Sequence, residues 1–295
     1  MTGEDPFLAH REDPFLAHRS LLFTVAYELL GSAADAEDVL QESWLRWAGV
    51  DRSQVRQPRS YLIQVVTRQA LNRLRKLARN REDYVGEWLP EPLLTSPDVA
   101  EDVELAESVS IAMLTMLETL GPVERAVFVL REVFELPYED IAEATGKSAV
   151  AVRQIAHRAR GHLAARRPRM QVSRLEQQAV TERFLAALRT GRLQELMEIM
   201  APDVVLVADG GGFAAAALTP VHGADLVAKV LAHASERPFA STTVWLNATP
   251  GALIEVGGEP AAVSLVVEDG LVTRVYLVRN PHKLTHLTEP AHLTR

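Results

Sequence analysis

Arg153, Gln154, His157 and Arg160 lie in the stretch KSAVAVRQIAHRARGHL, spaced so that they share one side of a helix. Their chemistry is that of polar-edge recognition. Guanidinium and carboxamide groups pair with base edges in a major groove, while Arg158, Arg166 and Arg167 alongside them suit phosphate. Val152, Ile155, Ala159 and Leu163 take the opposite face, so the helix can pack by one side and enter a groove by the other. The residues before it, LPYEDIAEATGKS, supply a short helix, a turn at Gly146 and Ser148 as N-cap, which is the grammar of a helix-turn-helix. The plainer alternative is an amphipathic surface helix with a solvated basic face.

A second set of the same character stands earlier. In RSYLIQVVTRQALNRLRKLARNR, Arg68, Asn72, Arg75 and Arg79 recur on the face opposite Leu62, Val66, Ala70, Leu74 and Leu77. At a rise of about 1.5 Å per residue these polar groups can follow a phosphate backbone over several nucleotides. The preceding polar loop, GVDRSQVRQP, can hold an unstacked base. Before that, DAEDVLQESWLRW sets Val39, Leu40, Ser43, Trp44 and Trp47 on an inner face, with both tryptophans read as core. Asp38, Gln41, Glu42 and Leu45 form the outer face. A leucine exposed among acids suits docking to another protein.

Catalytic signals are weak. Asp209 and His222 could act as an acid–base pair only if they converge in a pocket. DGGGF, residues 209–213, lacks the glycine spacing and the Lys-Ser/Thr of a phosphate-binding loop, so Gly210 and Gly211 are read as a tight turn or a close approach of another backbone. The chain has no cysteine, which excludes disulfides and thiolate metal sites. No metal, cofactor or catalytic residue is expected. No stretch reaches the roughly 18 apolar residues of a membrane span, and the N-terminus lacks a signal pattern, so a cytoplasmic location is expected.

The elements that must position these groups follow from charge and punctuation. The 295 residues carry 31 basic and 39 acidic side chains, a formal charge of −8, yet 52–81 holds nine bases and no acid. Residues 82–107 hold nine acids and no base, and 147–174 hold eight bases and no acid. Two basic modules around an acidic linker predict two contacts with one polyanion. Trp88 and Leu89 are apolar in that linker and should be buried against something. The octapeptide EDPFLAHR at 4–11 recurs at 12–19, a duplication with no helical period and no assigned function. After Pro168 come helices near 175–189 and 192–200, then strand-like runs, with a hairpin turning at Asp269–Gly270. This predicts a separate α+β domain with a curved antiparallel sheet.

AYELLGSAADAEDVLQESWLRW with PRSYLIQVVTRQALNRLRK resembles region two of extracytoplasmic-function sigma factors, and LGPVERAVFVLREVFELPYEDIAEATGKSAVAVRQIAHRAR resembles their region four. WLPEPL at 88–93, DGGG at 209–212 and NPHKL at 280–284 resemble the SigJ-like subgroup, whose members carry a fused SnoaL-like domain. The chain departs from that pattern at Phe213, where the subgroup has Lys, and at His282, where it has Asp. A basic residue is also common in the family at the position of Ile155.

The resemblance implies a multi-domain chain: two all-α sigma domains followed by an α+β SnoaL-like cone domain. The extension would be 1–14, region two 15–82, the linker 83–103, region four 104–168 and the SnoaL-like domain 172–295. Asp38, Gln41, Glu42 and Leu45 would dock on the β′ clamp helices of core RNA polymerase, the β flap being a further contact. Arg68, Asn72, Arg75 and Arg79 would read the −10 promoter element, and Arg153, Gln154, His157 and Arg160 the −35 element. Trp88, Leu89, Asp209, Gly210, Gly211, Asn280 and Pro281 would dock the C-terminal domain within the chain. The expected function is promoter-directed transcription initiation without catalysis. The alternative is a one-component DNA-binding regulator with a ligand-sensing SnoaL-like domain; a SnoaL-like enzyme fused to a DNA-binding module is a third reading.

Overall fold

The computed structural model describes residues 13–81, 83–164, 172–235 and 237–295, the side chains of 78–81, 234 and 235 excepted. The chain forms two compact units: residues up to Arg79 with Met116–Arg166 and His292–Arg295, and Asn80–Thr115 with Arg167–Ala291. The first copy of the octapeptide, and Arg166 and Arg167 of the basic stretch, lie outside the described residues.

The first unit begins with α1 (Pro14–Ala17), α2 (Arg19–Leu30), α3 (Ala33–Ala48) and α4 (Pro58–Arg81). Every residue of α2 from Leu21 to Leu30 is buried, so this helix is the centre of the bundle. Gly31 ends it in the left-handed region at φ 66°, and Ser32 restarts the chain by capping α3 through the Asp35 amide at 3.2 Å. Asp13 fixes the start of the bundle. Its carboxylate caps α1, accepts from Trp47 Nε1 at 3.0 Å and pairs with Arg52 at 2.8 Å. Trp47 is buried as expected, while Trp44 is half-buried, its ring edge-on to Phe15.

The end of the acidic segment and the residues after it form α5 (Val103–Val109), α6 (Ile111–Leu117), α7 (Pro122–Glu132), α8 (Tyr138–Thr145) and α9 (Ala149–Ala164). Gly146 turns at φ 67° and the Ser148 hydroxyl accepts from the Ala151 amide at 3.2 Å, so the helix-turn-helix has its expected punctuation. Val152, Ile155, Ala156, Ala159 and Leu163 are buried along α9.

The second unit adds α10 (Arg174–Thr190), α11 (Leu193–Ile199), β1 (Met200–Asp209), β2 (Val221–His222), α12 (Ala224–Ser235), β3 (Phe239–Leu246), β4 (Thr249–Val256), β5 (Glu259–Glu268) and β6 (Leu271–Val278). The sheet order is β2-β1-β6-β5-β4-β3. The sheet is mixed rather than wholly antiparallel: β3 to β6 run as a meander, and β6 then lies parallel to β1. Asp269 and Gly270 turn the last hairpin at φ 50° and 75°. Helix α12, which the strand-dominated reading of this region omitted, buries Val227, Ala228 and Leu231 at helical spacing.

Both faces of the sheet are covered. Ala261, Val263, Leu265 and Val267 of β5 face the core shared with α10, α11 and α12, whereas Ala262 and Val266 join Leu89, Ile111 and Ala112 on the other side. The linker is therefore a structural layer of this unit.

Candidate nucleic-acid interface and linker clasp

On α9, Arg153, Gln154, His157 and Arg160 are all exposed. Arg153 sits 3.0 Å from Glu139, with its guanidinium 5.3 Å from the Tyr138 ring, and Arg160 is 3.2 Å from Glu132. Solvent-exposed pairs of this kind contribute about 0–1 kcal/mol, so phosphate can displace the carboxylates readily.

Along α4, Leu62, Val66, Ala70 and Leu74 are buried and Arg68, Asn72 and Arg75 exposed. Arg75 donates to Asn72 Oδ1 at 3.1 Å, while Arg79 has its side chain outside the described residues. The N-terminal half of α4 is engaged by α8. Ser60 donates to Asp140, Gln64 Nε2 to Glu143 Oε2 at 3.0 Å, and Arg68 to the Glu143 carbonyl at 2.9 Å. Asp140 and Glu143 close one side of a cleft whose other side is the polar loop Val50–Gln57. Two carboxylates thus stand against the polar loop and the N-terminal half of α4. The two helical modules are further pinned by Arg125 of α7, which donates to the Leu29 carbonyl at 2.9 Å and pairs with Glu118 at 2.6 Å. Burial pushes the Arg125 guanidinium down to about 10, so it stays cationic at neutral pH.

On α3, Gln41, Glu42 and Leu45 are exposed, Leu45 at 68%. Asp38 is exposed as well, yet it also pairs at 2.8 Å with Arg73, whose guanidinium is shared with Asp35.

In the second unit, Asp209 at the end of β1 is fully buried and holds the linker. It accepts from the Tyr84 hydroxyl at 2.6 Å and the Leu89 amide at 2.9 Å, and pairs with Lys283 at 2.6 Å. Lys283 also donates to the Leu89 carbonyl at 2.5 Å and lies 4.0 Å over the Trp88 ring. Asn280 donates its backbone amide to the Asp209 carbonyl at 3.0 Å and its side-chain amide to Tyr84 at 2.8 Å; Pro281 follows it, exposed. Burial, reinforced by the Asp209 carboxylate, pushes the Tyr84 phenol well above its usual range, so it remains a donor. Leu89 is fully buried and Trp88 half-buried.

Gly211 is required by this approach, and Gly210 by the turn of its own loop. A Cβ on Gly210 would stand 2.1 Å from the Ala214 carbonyl oxygen, and one on Gly211, at φ 58°, 2.2 Å from Asn280 Nδ2. A second anchor has no motif to mark it in the sequence. Asn247, in a turn with Ala248 at φ 52° and 59°, accepts from the Leu93 amide at 2.9 Å and donates to the Val109 carbonyl at 2.8 Å. Tyr84 likewise carries no sequence signal that marks it as a site residue, whereas Lys283 lies inside the NPHKL motif without being singled out there. Phe213 and His282, the two departures from the subgroup pattern, stack edge-to-face 4.6 Å apart.

Asp209 and His222 do not converge. His222 is exposed on β2 opposite Val205, four residues or about 13 Å of strand from Asp209, whose carboxylate is committed to the linker. Among the described residues no group of three or more His, Cys, Asp or Glu is placed to hold a metal, and no helix is long and apolar enough to cross a membrane.

Comparison with known proteins agrees with this arrangement. Residues 15–80 match the Sigma-70 region 2 family and 110–163 the Sigma-70, region 4 family. The chain is 36% identical over 283 residues to the ECF RNA polymerase sigma factor SigJ of Mycobacterium tuberculosis, covering 90% of both chains. It is 32% identical over 271 residues to the probable ECF RNA polymerase sigma factor SigI of that species, covering 90% of this chain and 92% of the relative. The crystal structure of M. tuberculosis SigJ matches 93% of this chain and 98% of its own at a TM-score of 0.76 and 33% identity, so the likeness extends through the C-terminal α+β unit. With both sigma regions in order, and with relatives aligned from region two into the C-terminal sheet, this chain belongs to the extracytoplasmic-function RNA polymerase sigma factors.

Proposed function

We propose that this sigma factor reads the −10 element with α4 and the loop before it, and the −35 element with α9. In this reading Asp38, Gln41, Glu42 and Leu45 hold the β′ clamp helices of core polymerase in the cytoplasm, and region four meets the β flap. The observation that carries the proposal is the engagement of Ser60, Gln64 and Arg68 by Asp140 and Glu143. In this reading the described conformation is a closed form, in which region four engages the N-terminal half of the α4 surface that would meet DNA. Core polymerase would have to part α8 from α4 before the −10 element is read, whereas the α9 residues are already exposed. An acidic chain with local basic patches suits such a division, since few phosphate contacts give weak affinity for bare DNA at moderate salt.

The SnoaL-like domain takes a regulatory rather than a catalytic role in this proposal. Its motif residues Asp209, Gly211 and Asn280 meet on the linker, with Trp88 and Leu89 as the segment held, while Gly210 turns the loop that presents them. By fixing the linker, the clasp sets how much chain is free between the two DNA-reading regions. In vitro transcription with core polymerase tests both parts, comparing the full chain with versions cut near residue 170 and near residue 280. Promoter-specific initiation that changes with the cut supports the proposal. If none of the three chains directs initiation, and reversing the charges of Asp38 and Glu42 leaves attachment to core undiminished, the proposal is lost.

A further inference from the structure

The second unit encloses a cavity of about 260 Å³ between its sheet and helices α10 and α12. Phe184, Leu188, Leu206, Leu231, Val263 and Val275 are representative of its walls. An apolar cavity of roughly 150 Å³ takes up benzene, so this volume has room for a larger ring system or a medium-length chain. Among the described residues, the charged or titratable side chains lining it are His233, Arg237 and Arg279, with no carboxylate. Arg279 is largely buried, with its guanidinium on the Ala215 carbonyl and on Glu259. Arg237 has no carboxylate partner among the described residues, and its stem lies against Gly257. There a side chain would crowd it, since a Cβ would stand 3.2 Å from Arg237 Cδ.

We propose that this cavity is a binding site for a small amphiphilic carboxylate, its apolar body in the interior and its anionic head on Arg237 and Arg279. The lining decides the sign of the ligand. An apolar body removes hydrocarbon from water, and a carboxylate is the group that two guanidinium forks recognise with paired hydrogen bonds. Glu259 already neutralises Arg279, so a cation would meet the unpaired charge of Arg237 with no free acid among the described lining residues, and a neutral alcohol would leave Arg237 without an anion. The Asp209 clasp plays no part, because its carboxylate is bound to the linker and does not line the cavity. The proposal therefore stands apart from the promoter reading.

Titration calorimetry on the full chain with decanoate, 2-naphthoate, decanol and decyltrimethylammonium tests it. At least one of the two carboxylates binds saturably, and which one does distinguishes a chain ligand from a ring ligand. Decanol and the ammonium bind on the order of tenfold more weakly or not at all. Arg237→Gln lowers the carboxylate to the affinity of the alcohol. Filling the cavity with Ala208→Leu abolishes binding, and so does Val230→Trp, which blocks it from an exposed rim position and keeps the test alive if the buried variant fails to fold. Saturable binding by none of the four probes would overturn the proposal. So would equal affinity for the alcohol, preference for the ammonium, or binding that survives both filling variants.

Discussion

Asp209 is a charge with no solvent exposure, and such a group persists only when its desolvation is offset by close partners. Lys283 is the cationic one. Lys283→Met leaves the carboxylate buried with hydroxyl and amide donors alone, and breaking a buried pair in this way costs about 3–5 kcal/mol. Hydrogen exchange at the Leu89 amide should accelerate accordingly, and adding Asp209→Asn to Lys283→Met should recover part of the protection. If Lys283→Met leaves Leu89 exchange unchanged, the ion pair does not hold the linker. Leu45 gives a cleaner probe of polymerase docking than Asp38, because Asp38 also pairs with Arg73. Leu45→Asp should leave the melting temperature of the free chain within about 2 °C, as surface substitutions do, while weakening attachment to core polymerase at least tenfold. Asp209, Gly211, Asn280 and Leu89 were legible as motif residues. Lys283 stood in NPHKL with no role assigned to it, and Tyr84 and Asn247 carried no signal, since Asn247 in a hairpin turn and Tyr84 in a polar run look ordinary until partners up to 196 residues away are known.

At the scale of elements, the glycine run after β1 is the narrowest constraint. Gly211 combines a left-handed backbone with a Cβ position already taken by Asn280. Gly211→Ala adds backbone strain of roughly 1–2 kcal/mol and displaces Asn280, and with it the hydrogen bond to Tyr84. Gly223 is the control: it too has a positive φ, 89°, but the nearest atom to its Cβ position is 3.8 Å away. Exchange at Leu89 and the near-ultraviolet signal of Trp88 should therefore change in Gly211→Ala and hold in Gly223→Ala. Equal responses would mean that backbone strain, not the approach of the linker, explains the glycine. The helices of region two and region four were readable because each carries an apolar stripe of helical period and a cap, as α9 does with Val152, Ile155, Ala159 and Ser148. Helix α12 was not, because its short ADLVAKVLAHA run is rich in small apolar residues and lies among strands. The parallel pairing of β1 with β6 has no local signature: it depends on where a strand returns, which alternation along one strand does not encode.

Across the first unit as a whole, Ser60, Gln64 and Arg68 of α4 are held by Asp140 and Glu143 of α8 in a conformation that must be left before DNA can be read in the proposed way. The exposed contacts of Gln64 and Arg68 are individually weak, about 0.2–1 kcal/mol each, so in this reading a polymerase surface can part α8 from α4 while buried Arg125 keeps α7 on α2. The absence of cysteine from the sequence makes this testable, because two introduced thiols are the only ones present. Gln64 and Glu143 touch through their side-chain ends at 3.0 Å, too long a pair of stems for a direct disulfide between cysteines, but within reach of a short bismaleimide. In Gln64→Cys/Glu143→Cys the cross-linked chain should lose promoter-directed initiation, while the same protein treated with a monofunctional maleimide should retain it. The monofunctional arm separates loss of opening from loss of the two side chains. Full initiation by the cross-linked chain would show that α4 reads DNA without parting from α8, and the two carboxylates on its polar face would then belong to the active form rather than to a closed one.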